Sequence, residues 1–335
     1  MNIRTVLLSS FAALSATTAI AQEVNVYSYR QPELIEPLTK AFTAETGIEV
    51  NVAFLENGMV ERLAAEGDRS PADIILTTDL ARLAEAVEAG VTQAVTSESM
   101  SANIPAEFRD PDGHWWGLTS RARVIYASRD RVADGDITTY EDLVDPKWEG
   151  RICSRSGTHP YTIGLTSAVI AHHGEAAASE WLTGIKANLA RKPQGNDRAQ
   201  VKAIWAGECD ISFGNNYYMG AMLNDPEQIE WANSVRILFP AFASGGTHIN
   251  ISGVAMTKAA PHRDDAMQFM EFLASPKAQE IYAEANFEYP ISPNASPSEL
   301  VASWGSFTPD TLDLMDLSNL RGTALRITET VDFDG

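Results

Sequence analysis

The sequence predicts an α/β fold of mostly parallel sheets in two domains, the second inserted in the first. Three observations carry that expectation. Short apolar or alternating runs are followed repeatedly by segments of helical period. The chain, at 335 residues, is longer than one hydrophobic core usually serves. No repeat or low-complexity tether divides it, so crossing strands should join the domains.

Residues 1–21 read as a leader. A single charge, Arg4, precedes the apolar run 6–20, which closes with Ala19-Ile20-Ala21 before Gln22. That is the pattern of a secretory signal peptide. The run is too short and too rich in Ser and Thr for a stable membrane span. The expected mature chain is therefore soluble and periplasmic, 314 residues long from Gln22.

The remaining elements follow in order. Residues 24–29 alternate like a strand, and Pro32 opens a helical pattern through Ile35, Leu38 and Phe42 that stops at Gly47. Strands at 48–54 and 72–76 alternate with helices at 59–65 and 80–89. A strand at 121–126 leads to a fresh set: strand 151–153, helices 161–172 and 175–188 around Gly174, strand 208–213 and a helix over 217–223. A return strand at 249–256 precedes helices at 264–273 and 276–285. The acidic residues 332–335 are expected to fray. The expected lobes are 22–120 plus 250–335, and 121–249.

The formal charge of −20 argues against nucleic acid or anionic lipid as a partner. It suits a cationic ligand, and it equally suits mere solubility. Cys153 and Cys209 form an even count in an exported chain, which favours one disulfide over two buried thiols. Such a bridge would stabilise by roughly 4 kcal/mol in the chain-entropy model.

The most informative segment is Gly214-Asn215-Asn216-Tyr217-Tyr218-Met219-Gly220. Neighbouring tyrosines on a strand would face opposite ways. At the start of a helix they diverge by only about 100° and can reach one point. Tyr161 stands at another helix start, and Tyr27 and Tyr29 at the end of the first strand, where ligands of open α/β sheets bind. Clustered phenols suit a small, highly charged cation, which displaces their protons. Taken alone, a Tyr-Tyr pair is more often packing than a metal site. His159 is read as a cap or rim residue, His248 and Trp115-Trp116 as packing, His172-His173 as a helix end, and Asn215 and Asn216 as caps.

Six segments together change the weighting: 26–31, 67–73, 116–124, 146–148, 214–218 and 245–253. In this order, and over nearly the whole mature chain, they resemble the ferric-iron-binding periplasmic proteins of ABC importers, the FbpA and FutA type. The resemblance implies a type II periplasmic-binding-protein fold with the ligand cleft between two domains. It implies Fe(3+) held by Tyr217, Tyr218 and Tyr161, with Arg121 beside the site or holding a synergistic carbonate. Relatives often supply a histidine after the first strand. This chain has Gln31-Pro32 there, so Tyr29, Gln31 or a water completes the set. Some relatives place a glutamate where this chain has Thr78. The implied partners are an ABC permease and its ATPase subunit, with a monomeric binding protein and no enzymatic activity. Nucleophile-elbow, zinc-protease and phosphate-loop motifs are absent from the sequence. The alternative is a protein of the same fold for a small organic solute such as a polyamine or thiamine.

Overall fold

Alternating apolar residues make Glu23–Ser28 strand β1, with Val24 and Val26 buried. This computed structural model describes residues 22–335, so the expected leader lies outside the described part. Helix α1 (Pro32–Thr46) starts on a proline, whose missing N–H is not needed in a first turn. It buries Ile35, Leu38 and Phe42, and Gly47 closes it in the left-handed region at φ 77°.

The chain continues with β2 (Glu49–Phe54), α2 (Met59–Glu66), β3 (Ile74–Thr77), α3 (Leu80–Glu88), β4 (Thr92–Gln93) and α4 (Glu98–Asn103). The long strand β5 (Trp116–Ser128) follows, then β6 (Ile152–Cys153), α5 (Pro160–Ala187), α6 (Asp197–Trp205), β7 (Ile211–Asn215), α7 (Tyr217–Leu223), α8 (Ile229–Asn233) and β8 (Val235–Leu238). The last elements are β9 (Ile249–Thr257), α9 (Arg263–Ala274), α10 (Pro276–Asn286), β10 (Tyr289–Pro290), α11 (Glu299–Ala302), α12 (Leu314–Asn319) and α13 (Arg321–Thr330). Within α5 the backbone breaks at Gly174 (φ 83°, ψ 167°), giving the two expected helical stretches.

The sheet order is β2-β1-β3-β9-β5-β7-β6, with β4 on β9 and both β8 and β10 on β5. The expected parallel pairs are present, β1 with β2 and β3, and β6 with β7. The long strands β5 and β9 pair antiparallel with each other, and antiparallel with β7 and β3 respectively. The sheet is therefore mixed. Helical crossovers bring a strand back parallel, whereas β5 leaves the first half of the sheet and β9 returns to it, so these two run in opposite directions.

Strand β5 serves both halves. Its first part pairs with β9 as far as Ala122↔Ile249, and its second part pairs with β7 from Arg123↔Asn215 onward. All its residues are buried. One apolar cluster runs from Phe42 through Trp116 to Ile211, and a smaller one gathers Val124, Tyr126, Val201, Met219 and Met222. The smaller cluster lies beneath α6 and α7 and fixes two elements of the site described below.

Cys153 and Cys209 are joined in a disulfide with Cα atoms 5.9 Å apart, tying β6 to the approach of β7. The acidic segment 332–335 departs from expectation. Phe333 is buried, and the Asp334 carboxylate accepts from Ser156 Oγ at 2.6 Å and Gly157 N at 2.7 Å. An apolar anchor and two donors hold what composition alone suggested would fray. Among the described residues no helix is long and apolar enough to cross a membrane.

Candidate metal centre

A cleft of about 430 Å³ opens where the strand ends of the two halves face each other. One wall comes from the β1–α1 and β3–α3 junctions, with Tyr29, Arg30, Gln31 and Thr78. The other comes from helix starts, with Tyr161 on α5, Arg198 on α6, and Tyr217 and Tyr218 on α7. Arg121 of β5 and Phe287-Glu288 after α10 form the floor. Every expected site residue lines this one cleft. Tyr27 does not, because its hydroxyl donates to Glu66 at 2.9 Å.

Three phenols converge. The Tyr161 and Tyr217 hydroxyls share a hydrogen bond at 3.0 Å, and the Tyr217 and Tyr218 rings lie 4.3 Å apart between centroids. Burial pushes the Tyr217 hydroxyl well above its ordinary value, reinforced by Tyr161 and Tyr218 and opposed by Arg121. Tyr218 is pushed up to about 12, by burial and then by Tyr161 and Asp197. Without a cation both therefore hold their protons at neutral pH. Tyr29 is placed differently. Its hydroxyl accepts from Met59 N at 3.1 Å, and the Arg82 guanidinium covers its ring at 3.7 Å.

Asn215 and Asn216 were expected as caps, and their side chains do other things. Asn215 Nδ2 donates to the Tyr217 hydroxyl at 3.3 Å, and its Oδ1 accepts from Arg123. Asn216 Oδ1 accepts from Ala122 N at 2.8 Å, while its Nδ2 donates to Phe287 O at 2.9 Å. The residue before the tyrosine pair is thus bolted to β5 and to the turn after α10. Phe287 takes the left-handed region at φ 56°, and its ring covers Gly220, where a Cβ would lie 2.2 Å away. His159 does cap, with Nδ1 accepting from Tyr161 N at 3.1 Å. Burial, and then Arg155, lowers His159 to about 4. His248, Trp115 and Trp116 are buried packing residues, as expected. His172 and His173 bond Asp310 and Glu141, clear of the cleft.

Arginines surround the phenols, and most are committed. Arg121 is buried and donates to Thr78 O and to Ser252 Oγ. Arg30 donates to Tyr282, Ser252 and Glu288. Burial pushes the Glu288 carboxyl up, but Arg30, Arg121 and the Thr119 hydroxyl outweigh it and hold it below the usual range. Behind the tyrosines Asp197 is fully buried between Arg123, at 2.5 Å, and Arg155. Arg198 has no hydrogen-bond or ion-pair partner among the described residues. Sequence reading missed it, since nothing local distinguishes it from any surface arginine. Among the described residues no group of three or more His, Cys, Asp or Glu side chains could hold a metal, and the Glu288 carboxylate in the cleft is engaged by Arg30, Thr119 and Ser252, which leaves the clustered phenols as the donors to consider.

The model of the bacterial extracellular solute-binding protein family matches residues 69–306. The chain is 42% identical to "Iron uptake protein A1" of Synechocystis, over 94% of this chain and 89% of that protein. Its fold matches a ferric iron-binding protein A of Mannheimia haemolytica in an open conformation, at TM-score 0.89 and 48% identity, covering 94% of this chain and all of that one. It also matches a Trichodesmium FutA in complex with iron and citrate, at TM-score 0.88 and 37% identity, covering 93% and 99%. With its two-domain type II binding fold, the chain belongs to the bacterial extracellular solute-binding protein family, in the branch of the iron-uptake and ferric-binding proteins.

Proposed function

We propose that this chain captures ferric iron in the periplasm and hands it to an ABC permease and its ATPase subunit, acting as a monomer and without catalysis. The observation that carries the reading is the convergence of Tyr161, Tyr217 and Tyr218 on one arginine-rimmed cleft. Three phenolates neutralise a trivalent cation and favour it over the ferrous ion, because anionic oxygen stabilises the higher charge more. The ion displaces protons that burial otherwise keeps in place.

Tyr29 and Gln31 stand on the facing wall as candidates to complete the coordination, and an anion such as carbonate fills what remains. Arg121 lies at the floor for that anion, and Arg198 adds an uncommitted guanidinium. The lobes are taken as 22–120 plus 250–335, and 121–249, with α13 reaching across onto α5. Closure brings the two walls together, driven by tighter binding of iron to the closed form than to the open one.

A polyamine reading fits poorly. The cleft shows arginines to a ligand, and its carboxylate, Glu288, is tied to Arg30. Visible absorption of the purified chain with ferric citrate tests the proposal, with Tyr218→Phe alongside. A broad charge-transfer band that fades or shifts in the variant supports tyrosinate-bound iron. Absence of a band and of bound iron by elemental analysis would overturn it and send the search to thiamine and polyamines.

A further inference from the structure

We propose that Asp334 is a positioning residue of the metal centre, holding the turn that launches Tyr161; this rests on the iron-binding reading above. The turn runs from Ser156 to His159 and leads into α5. Internally it is well bonded. Ser156 O accepts from Thr162 Oγ1 at 3.0 Å, Ser156 Oγ meets Thr158 Oγ1 at 2.9 Å, and His159 Nδ1 accepts from Tyr161 N at 3.1 Å. The His159 ring also stands edge-on to the Tyr161 ring, 4.6 Å between centroids.

A grip from outside comes from a segment 177 residues further along the chain. The Asp334 carboxylate accepts from Gly157 N at 2.7 Å through one oxygen and from Ser156 Oγ at 2.6 Å through the other. The Phe333 ring fills the space above Gly157, where a Cβ would sit 2.6 Å from it. That segment is itself fastened. Lys192 Nζ donates to Gly335 O at 2.7 Å, and Lys186 Nζ to Val331 O at 3.0 Å.

The physical consequence concerns aim. Ser156 and Gly157 present a hydroxyl and an N–H that need acceptors, and a carboxylate is the strongest acceptor a side chain offers. Bridging both with one rigid group fixes the turn as a unit. Tyr161 follows within one helical turn, and its hydroxyl must meet Tyr217 at 3.0 Å. Metal sites lose function when donors stray by about 0.5 Å. Asp334 touches no expected metal ligand, so it acts through the turn, His159 and the first residues of α5.

Iron affinity of Asp334→Ala, measured by chelator competition in the natural chain and in a Tyr161→Phe background, tests this. The expected result is a loss of about tenfold in the natural chain and less than about twofold with Tyr161→Phe, the signature of two residues acting through one path. Asp334→Asn, which keeps the shape and one acceptor, should lose less and serves if the alanine variant does not fold. Equal losses in both backgrounds, or no loss, would overturn the proposal. Hydrogen exchange of the Gly157 amide in iron-free protein reads the grip without the metal. Exchange about tenfold faster in the variant is expected, and an unchanged rate overturns the proposal even if the natural chain binds no iron.

Discussion

Removing the Tyr217 hydroxyl should change how iron affinity depends on pH as well as the affinity itself. In the iron-free chain Tyr217 and Tyr218 are held protonated by burial, Tyr218 to about 12. Each phenol that becomes a ligand must release its proton when iron binds, so falling pH competes with the metal. With Tyr161, Tyr217 and Tyr218 as ligands, three protons leave per iron. Apparent affinity should then fall by about a thousandfold for each pH unit lowered near neutrality. Tyr217→Phe removes one of those protons, and the fall should shrink to about a hundredfold per unit. The change also strips a hydrogen bond from Tyr161 and one from Asn215, which costs about 1–2 kcal/mol of folding stability. That loss is readable separately by thermal melting. The assay is iron partition against a chelator of known protonation at several pH values and fixed anion concentration. A pH slope identical in Tyr217→Phe and the natural chain would refute the reasoning, because Tyr217 would then not ionise on binding.

Other expectations concern the frame of the site. Asp197→Ala leaves Arg123 and Arg155 buried without their counter-charge, and stability by denaturant titration should drop by about 3–5 kcal/mol. Gly220→Ala drives a methyl into the Phe287 ring and should cost about 1–3 kcal/mol, with the charge-transfer band shifted as α7 gives way. Replacing Cys153 and Cys209 together should lower stability by about 2–5 kcal/mol while leaving the iron spectrum unchanged. His159 and His248 are both lowered to about 4 by burial. The unfolded chain therefore binds more protons than the folded one between about pH 6.5 and 4, and stability should fall as pH falls through that window. Melting temperature against pH checks the sign, and a His248 variant that fits without charge, such as His248→Gln, should flatten part of the fall.

Much of this molecule was legible where the sequence carries its own punctuation. Pro32 and Gly47 bracket α1 as expected, and α7 has the predicted bounds, Tyr217–Leu223. The tyrosine cluster was legible because three of its members stand at helix starts, a local signal. Strand β5 was read five residues short at its start, because Gly117, Thr119 and Ser120 look like loop residues until both faces are covered. Helix α6 was missed, since only Val201, Ala203 and Ile204 mark its apolar side, although Asn196 caps it by accepting from Ala199 N. Arg198 and Asp334 could not be singled out locally. Their surroundings are set by partners far away in sequence: the neighbouring Asp197 is taken by Arg123 and Arg155, and Ser156 faces residue 334. The paired asparagines misled in another way, because short polar side chains at a helix start usually cap, and here tertiary partners won.

The sharing of β5 between two sets of partners bears on how the chain comes apart. A strand bonded to β9 along one stretch and to β7 along the next cannot lose one set without baring a fresh edge in the other. Ala122 and Arg123 are consecutive, so no spare residue insulates the two stretches. Melting of either half should propagate across that junction. The chain should then lose its structure in one cooperative transition, where two domains joined by a loose tether would give two. Cargo held in the cleft would raise that single transition for the whole molecule, however little of the surface it touches.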